Sequence, residues 1–322
     1  LVASLALLLG CSDASSPAEE PGINVVTFNT GTTEGLGPDG SRNAGYGDEQ
    51  AALSDQYYGD GLAWQAAVDD TRGFFARVDA DIVAFQEIFY SGECADIPAD
   101  AQDGFVCETW EPGDPTVAQL VLGDDFQVAC HLGKPDKCLA VNRRLGTFRG
   151  CDDDLCLDGL EGGEVDDCGS GSRIGRGVIE LASGGTLTVV SIHGTSGIED
   201  ADQACRYEQF RQVFEDLDGE PAANGERNVI LGDLNTDPGR MTDFDESAEL
   251  FASQAGEGKR FHFLTDVGTD AEPTYVLFNI DHVVSDALDG SCVHPGVTEG
   301  EPPVTDMVYF DHKPVVCRVE VP

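Results

Sequence analysis

A layered α/β sandwich in one continuous domain is what this sequence predicts, on three observations. Short apolar runs of strand length are interleaved with stretches whose apolar residues recur at helical spacing. No linker-like segment divides residues 23 to 322. With 322 residues, 41% of them hydrophobic, the chain can bury a sizeable core, yet no apolar run is long enough to span a bilayer. No repeat recurs at a fixed period, which argues against solenoids and propellers.

The elements follow in order. Ile23 to Asn29 reads as a strand that stops at a polar turn. Residues 30 to 60 are rich in Gly, Asp and Ser and predict a long surface loop. Leu62, Ala66, Phe74, Phe75 and Val78 then suit a helix laid on a sheet. Asp81 to Glu87 is a buried strand with a carboxylate at its end. The stretch of about 130 to 170, acidic, glycine-rich and crowded with cysteines, reads as a surface insertion. Thr186 to His193 is a strand, and Tyr207, Phe210, Val213, Phe214 and Leu217 mark one face of the helix after it. Asn228 to Asn235, Val276 to Ser285 and Lys313 to Val321 supply three more strands.

Sixty acidic residues against eighteen basic give a formal net charge of −42. Such a field repels polyanions at low ionic strength, which argues against loose electrostatic binding to nucleic acid. Two readings of the charge stay open: adaptation to molar salt, where screening mutes self-repulsion, and a solvated shell that keeps an exported protein soluble. The apolar start, ending in Leu8-Leu9-Gly10-Cys11, looks like the tail of a bacterial lipoprotein signal, and Cys11 is the expected lipidated residue. With neither an initiator Met nor a basic n-region, the chain is expected to begin inside that signal. A polar linker, residues 12 to 22, follows, and lipid on Cys11 would anchor the body to a membrane without spanning it. An ordinary secretory signal is the alternative. Ten further cysteines in an exported chain predict disulfides of undetermined pairing. A zinc site among Cys130, Cys138, Cys151, Cys156 and Cys168 lacks paired C-x-x-C spacing, and no histidine lies between Cys138 and Cys168.

One regularity carries the chemistry. The strands end at, or are followed at once by, groups able to bind metal or phosphate: Asn29, Glu87, His193, Asp233 with Asn235, and Asp311-His312 before the last strand. Asp281 lies inside another. In a layered sheet, neighbouring strand ends converge on one rim where a ligand fits. Singly, each residue has a blander explanation: Asn29 as a turn cap, His193 as a polar terminus, Asp311-His312 as a turn. His282 should face away from Asp281 and be structural. His131, His262 and His294 have no partners in the set and are expected at the surface.

The segments Thr27-Phe28-Asn29, Phe85-Gln86-Glu87-Ile88, Ser191-Ile192-His193, Gly232-Asp233-Leu234-Asn235, Ile280-Asp281 and Asp311-His312-Lys313-Pro314-Val315 together resemble the endonuclease/exonuclease/phosphatase superfamily. Its members include pancreatic-type deoxyribonucleases, abasic-site endonucleases, inositol polyphosphate phosphatases and neutral sphingomyelinases. The matches run in that superfamily's order over nearly all of residues 23 to 322. The resemblance implies a four-layered α/β/β/α sandwich of the deoxyribonuclease-like type and metal-dependent phosphodiester hydrolysis. It implies Glu87 and Asp311 as metal ligands supported by Asn29, and magnesium or manganese as the metal, which suits hard oxygen donors. Calcium in a structural role is a further candidate. His312 is implied as general base, oriented by Asp281. Asp233 and Asn235 would position water and phosphoryl oxygen, and His193 would bind that oxygen or act as general acid. Asp281, with Asp286 as the alternative, is taken as the carboxylate that orients His312.

The expected substrate is a phosphate ester, either nucleic acid or a phospholipid head group, handled by a monomer at the cell envelope or outside the cell. An extracellular nuclease is the first reading, a sphingomyelinase-like or inositol-phosphate phosphodiesterase the second, a catalytically silent envelope module the third. Basic residues are few, though Arg143, Arg144, Arg173 and Arg176 could form a local positive patch. The membrane anchor and the pair Phe89-Tyr90 lean toward lipid.

Overall fold

The computed structural model describes residues 22–33, 45–294 and 309–320. Cys11 and nearly all of the expected linker lie outside them. Two sheets carry the architecture. The first, in spatial order, holds β12 (Gly290–Val293), β13 (Val315–Glu320), β1 (Gly22–Asn29), β2 (Ile82–Gln86), β4 (Lys134–Asn142), β3 (Phe126–His131) and β6 (Leu155–Leu160). The second holds β10 (His262–Phe263), β11 (Asp281–Ser285), β9 (Asn228–Asp233), β8 (Thr186–His193), β7 (Ile174–Leu181) and β5 (Gly146–Phe148).

Period-2 alternation builds the layers. Inward residues of both sheets, among them Ile23, Val25, Leu139, Val189, Leu231 and Val283, form one core between the sheets. Outward residues of the first sheet, Val26, Phe28 and Phe85, meet Phe74 and Phe75 of α2 (Gln65–Val78) and Val117 of α3 (Val117–Leu122). Outward Val190, Ile192 and Ile230 of the second meet Phe210 and Phe214 of α4 (Asp200–Phe214) and Phe251 of α5 (Glu246–Gln254). The result is the expected four-layered α/β/β/α sandwich.

Several expectations need correcting. Residues 45 to 60 are not a surface loop. They hold α1 (Asp48–Leu53) and a further helical turn, because Tyr46 and Tyr58 are buried against Trp64, Tyr309, Phe89 and Phe105. Nor is 130 to 170 an insertion: β4 lies between β2 and β3 in the middle of the first sheet. Its charged start, Lys134 to Lys137, hides the alternation that follows in Cys138 to Val141. The strand expected from Val276 begins only at Asp281, and Tyr275 to Phe278 form a tight turn instead.

All ten expected cysteines are paired: Cys94–Cys107, Cys130–Cys138, Cys151–Cys156, Cys168–Cys205 and Cys292–Cys317. Five disulfides fit an oxidising, non-cytoplasmic compartment. His131 and His294 are buried rather than exposed. Phe89 is buried too, which removes it as a lipid contact. The arginine patch does not form, since Arg143 pairs with Asp154, Arg144 with Asp79 and Asp81, and Arg176 with Glu161 and Glu220.

Candidate active site

The inter-sheet core changes character at one rim. Along β1 the inward positions run Ile23, Val25, Thr27, Asn29; along β8 they run Leu187, Val189, Ser191, His193; along β9, Val229, Leu231, Asp233. Strands β1 and β2 are parallel, as are β8 and β9, so their carboxyl ends share this rim. Strands β11 and β13 run antiparallel to their neighbours, so their amino ends bring Asp281 and the pair Asp311-His312 to the same place. One alternation pattern thus buries apolar residues at one end and gathers polar ones at the other.

All eight residues expected to do chemistry meet there. Asn29 Nδ2 donates to Glu87 Oε1 at 3.2 Å and to Asp233 Oδ2 at 3.0 Å. His193 Nε2 lies 3.3 Å from Glu87 Oε1. Asn235 donates to Asp233 through its backbone N–H at 2.7 Å and its amide at 3.1 Å. His312 Nδ1 donates to Asp281 Oδ2 at 2.8 Å, while its Nε2 stands 3.9 Å from Asp233 Oδ2. The Tyr275 ring stacks on His312, with centroids 4.6 Å apart. Asp286 lies elsewhere and accepts from Asn228. His282 is buried between Thr265 and the Asn279 carbonyl and serves the core.

Charge is distributed by burial and neighbours. Burial alone would strip the proton from His312, but the carboxylates of Asp281 and Asp233 outweigh it and raise the imidazole to about 10. Burial, reinforced by repulsion from Asp281, lifts Asp233 to about 7. Burial also opposes charge on Asp281, yet the His312 imidazolium keeps it below the usual carboxylate range. Burial would raise Glu87, but hydrogen bonds from His193 and Asn29 and the charge on His312 hold it below the usual carboxylate range. His193 is pushed down to about 4, first by burial and then by the Lys137 ammonium, so at neutral pH it is an uncharged donor to Glu87.

The metal-ligand candidates surround Gly31. Its N–H donates to Asn29 Oδ1 at 2.9 Å, and its carbonyl accepts from the Asp311 N–H at 3.1 Å. A Cβ on Gly31 would fall 2.3 Å from Glu87 Oε2 and 3.0 Å from Asn29 Oδ1. Thr33 donates to Asp311 Oδ2 at 2.6 Å, while buried Asp311 Oδ1 has no partner among the described residues. Two carboxylates, one of them with an unsatisfied buried oxygen, and an amide oxygen fit a hard dication. Asp233, Asp281 and His312 also bring ligand atoms within 4.8 Å of one another. His312 Nδ1 donates to Asp281 and its Nε2 faces Asp233, an arrangement that can pass a proton between the ring and a carboxylate. Gly31→Ala is expected to fold normally but to bind Mn2+ at least tenfold more weakly; equal affinity by calorimetric titration would show that Glu87 does not face the cation.

Two features escaped the sequence reading. Glu87 (φ +62°) and Asn235 (φ +51°) adopt the left-handed conformation, a strain of about 1–3 kcal/mol each that concentrates at functional sites. Buried Asp60 holds the turn after Glu87, accepting from the Phe89 N–H at 2.5 Å and the Leu62 N–H at 2.8 Å. No local pattern marks either strain, and Asp60 sat in a stretch read as loop.

No family model matches the chain, and no curated protein matches it in sequence. Among solved structures, the human nocturnin catalytic domain with a bound sulfate anion is similar at TM-score 0.50 and 14% identity, over 93% of this chain and 94% of that one. An endonuclease/exonuclease/phosphatase from Beutenbergia cavernae gives TM-score 0.48 at 16% identity, over 93% of this chain and 72% of that one. An endonuclease/exonuclease/phosphatase family protein from Bacteroides thetaiotaomicron gives 0.49 at 12%, over 94% and 95%. The likeness to the nocturnin domain is one of fold alone: the chain shares its layered α/β architecture.

Proposed function

We propose that this protein is a metal-dependent phosphodiester hydrolase acting on nucleic acid outside the cell, held at the envelope through lipid on Cys11 and working as a monomer. The observation that carries this reading is the meeting of Asn29, Glu87 and Asp311 beside the His312–Asp281 pair at one rim. Glu87, Asp311 and Asn29 would hold magnesium or manganese. Bound there, the ion would supply Lewis-acid stabilisation of charge on the phosphoryl and leaving oxygens. Asp233, raised to about 7, is placed to accept the proton of the attacking water. His312, protonated up to about pH 10, would donate from Nε2 to a phosphoryl oxygen rather than act as the base that the resemblance implies. The Asn235 amide and His193 complete the donors.

The pH profile follows with its sign. Activity should rise as pH passes about 7 and Asp233 loses its proton, then fall as pH passes about 10 and His312 loses its own. A rate that only declines above pH 6 would remove Asp233 as the base. The direct test is degradation of plasmid DNA, abolished by chelator, restored by Mg2+ or Mn2+ and absent in His312→Ala. It should run from low to molar salt, because a net charge of −42 alone suppresses DNA encounter at low ionic strength.

A specific observation favours a second substrate. The turn beside Tyr275 exposes Val276 (60%), Leu277 (70%) and Phe278 (40%) next to His312, an apolar edge suited to a lipid surface. Choline-phosphate release from liposomes with plasmid DNA left intact would move the assignment to phospholipid head groups.

A further inference from the structure

Beside His193, on the side away from Asp281, the inward face carries two cations that the reaction above does not use. Arg173 directly opposes His193, whose N–H donates to the Arg173 carbonyl at 3.0 Å, continuing the β7–β8 pairing. Opposed residues of an antiparallel pair share a face, so the guanidinium and the imidazole project to the same side. Lys137 opposes Gln86 one step beyond the Phe85–Cys138 pair of β2 and β4. Its side chain is 2% exposed, and its one carboxylate partner among the described residues is Asp136, at 2.6 Å. The His131 ring fills the space over Gly175, closing the corner from below.

Arg173 stands out against the charge of the chain. Sixty acidic residues are available to eighteen basic ones, and Arg143, Arg144 and Arg176 each take a carboxylate. The Arg173 side chain has no hydrogen bond or ion pair among the described residues, and its Nε is buried without an acceptor. A planar guanidinium left open beside a buried ammonium, in a protein with acid to spare, is arranged for an external oxyanion.

We propose that Arg173 and Lys137 form a subsite for a second phosphate, next to the one being hydrolysed. Arg173 makes the contact and Lys137 supplies charge from behind. The inference rests on the phosphodiesterase reading and narrows its substrate class to esters bearing a further phosphate beside the scissile bond. The same chemistry would hold free phosphate.

Two arms test it. In chelator-treated protein, inorganic phosphate binding is measured by calorimetry for wild type, Arg173→Ala and Arg173→Lys. Arg173 is partly exposed, so these variants should fold. At least tenfold weaker binding in Arg173→Ala, with partial retention in Arg173→Lys, is expected. Equal binding in all three, or none in wild type, overturns the subsite. Kinetically, the dinucleotide pTpT should be cleaved with at least tenfold higher kcat/KM than TpT, and Arg173→Ala should bring the ratio near one with TpT turnover within threefold of wild type. A wild-type ratio of one overturns the assignment to substrate. If neither dinucleotide nor any other phosphodiester is cleaved, the hydrolase reading falls, while the phosphate isotherm still decides the subsite.

Discussion

His312→Ala is expected to lower kcat/KM by at least a thousandfold while keeping the native fold at the assay temperature. The side chain is 5% exposed and lies at the centre of the rim, bonded to Asp281 at 2.8 Å and facing Asp233 at 3.9 Å. Its removal takes away the donor to the phosphoryl oxygen and the positive charge that keeps Asp281 ionised. Asp233 and Asp281 are then left as two buried carboxylates in mutual repulsion, and Asp233 rises further, out of the range useful to a base. A thousandfold loss corresponds to about 4 kcal/mol of transition-state stabilisation, within what removal of one preorganised donor and its charge costs. Asp281→Asn should give a smaller loss, because the ring keeps a hydrogen-bonding neighbour but not its charge. The order of the two variants is diagnostic. Residual activity above one tenth of wild type in His312→Ala, with the fold intact by circular dichroism, would mean that the rim is not where the chemistry occurs.

Much of that rim was legible in the sequence because it is made at strand ends. An apolar run that stops at Asn29, His193 or Asp233 announces both the strand and the group at its tip, and parallel pairing brings the tips together without further information. What sequence hid depends on non-local contacts. Asp60 and α1 were lost in a polar stretch because two tyrosines 12 positions apart, Tyr46 and Tyr58, find their aromatic partners in distant segments. Strand β4 was masked by Lys134, Asp136 and Lys137, which belong to the polar rim rather than to a loop. His131 looked unpartnered because its neighbour, Gly175, offers space rather than a side chain. A second carboxylate, Asp233 of β9 in the facing sheet, also reaches His312 and raises its imidazole further, a contact that no local pattern announces.

Asp245→Ala should be the most destabilising single change outside the catalytic groups. Arg206 of α4 is fully buried, and its partner Asp245 is buried with it, 2.8 Å away. The guanidinium also donates to the Thr195 and Gly197 carbonyls, both at 2.7 Å, and to Ser247 at 3.1 Å. Asp245 in turn caps α5 through the Ser247 N–H and takes the Thr236 hydroxyl at 2.6 Å. Truncating the carboxylate leaves a buried cation unpaired, which costs about 3–5 kcal/mol, and loses a helix cap worth about 1 kcal/mol. A cost of that size lowers the melting temperature of a domain this large by about 8 °C or more. Activity should fall as well, for a geometric reason. Arg206 ties down the segment following His193, and Thr236 adjoins Asn235, so one ion pair holds both loops that flank the second sheet's share of the rim. Asp245→Asn, which keeps an acceptor for the cap, should lose less of both. Urea unfolding of the disulfide-intact protein reads the stability term, and a difference below 1 kcal/mol for Asp245→Ala would show that solvent reaches Arg206.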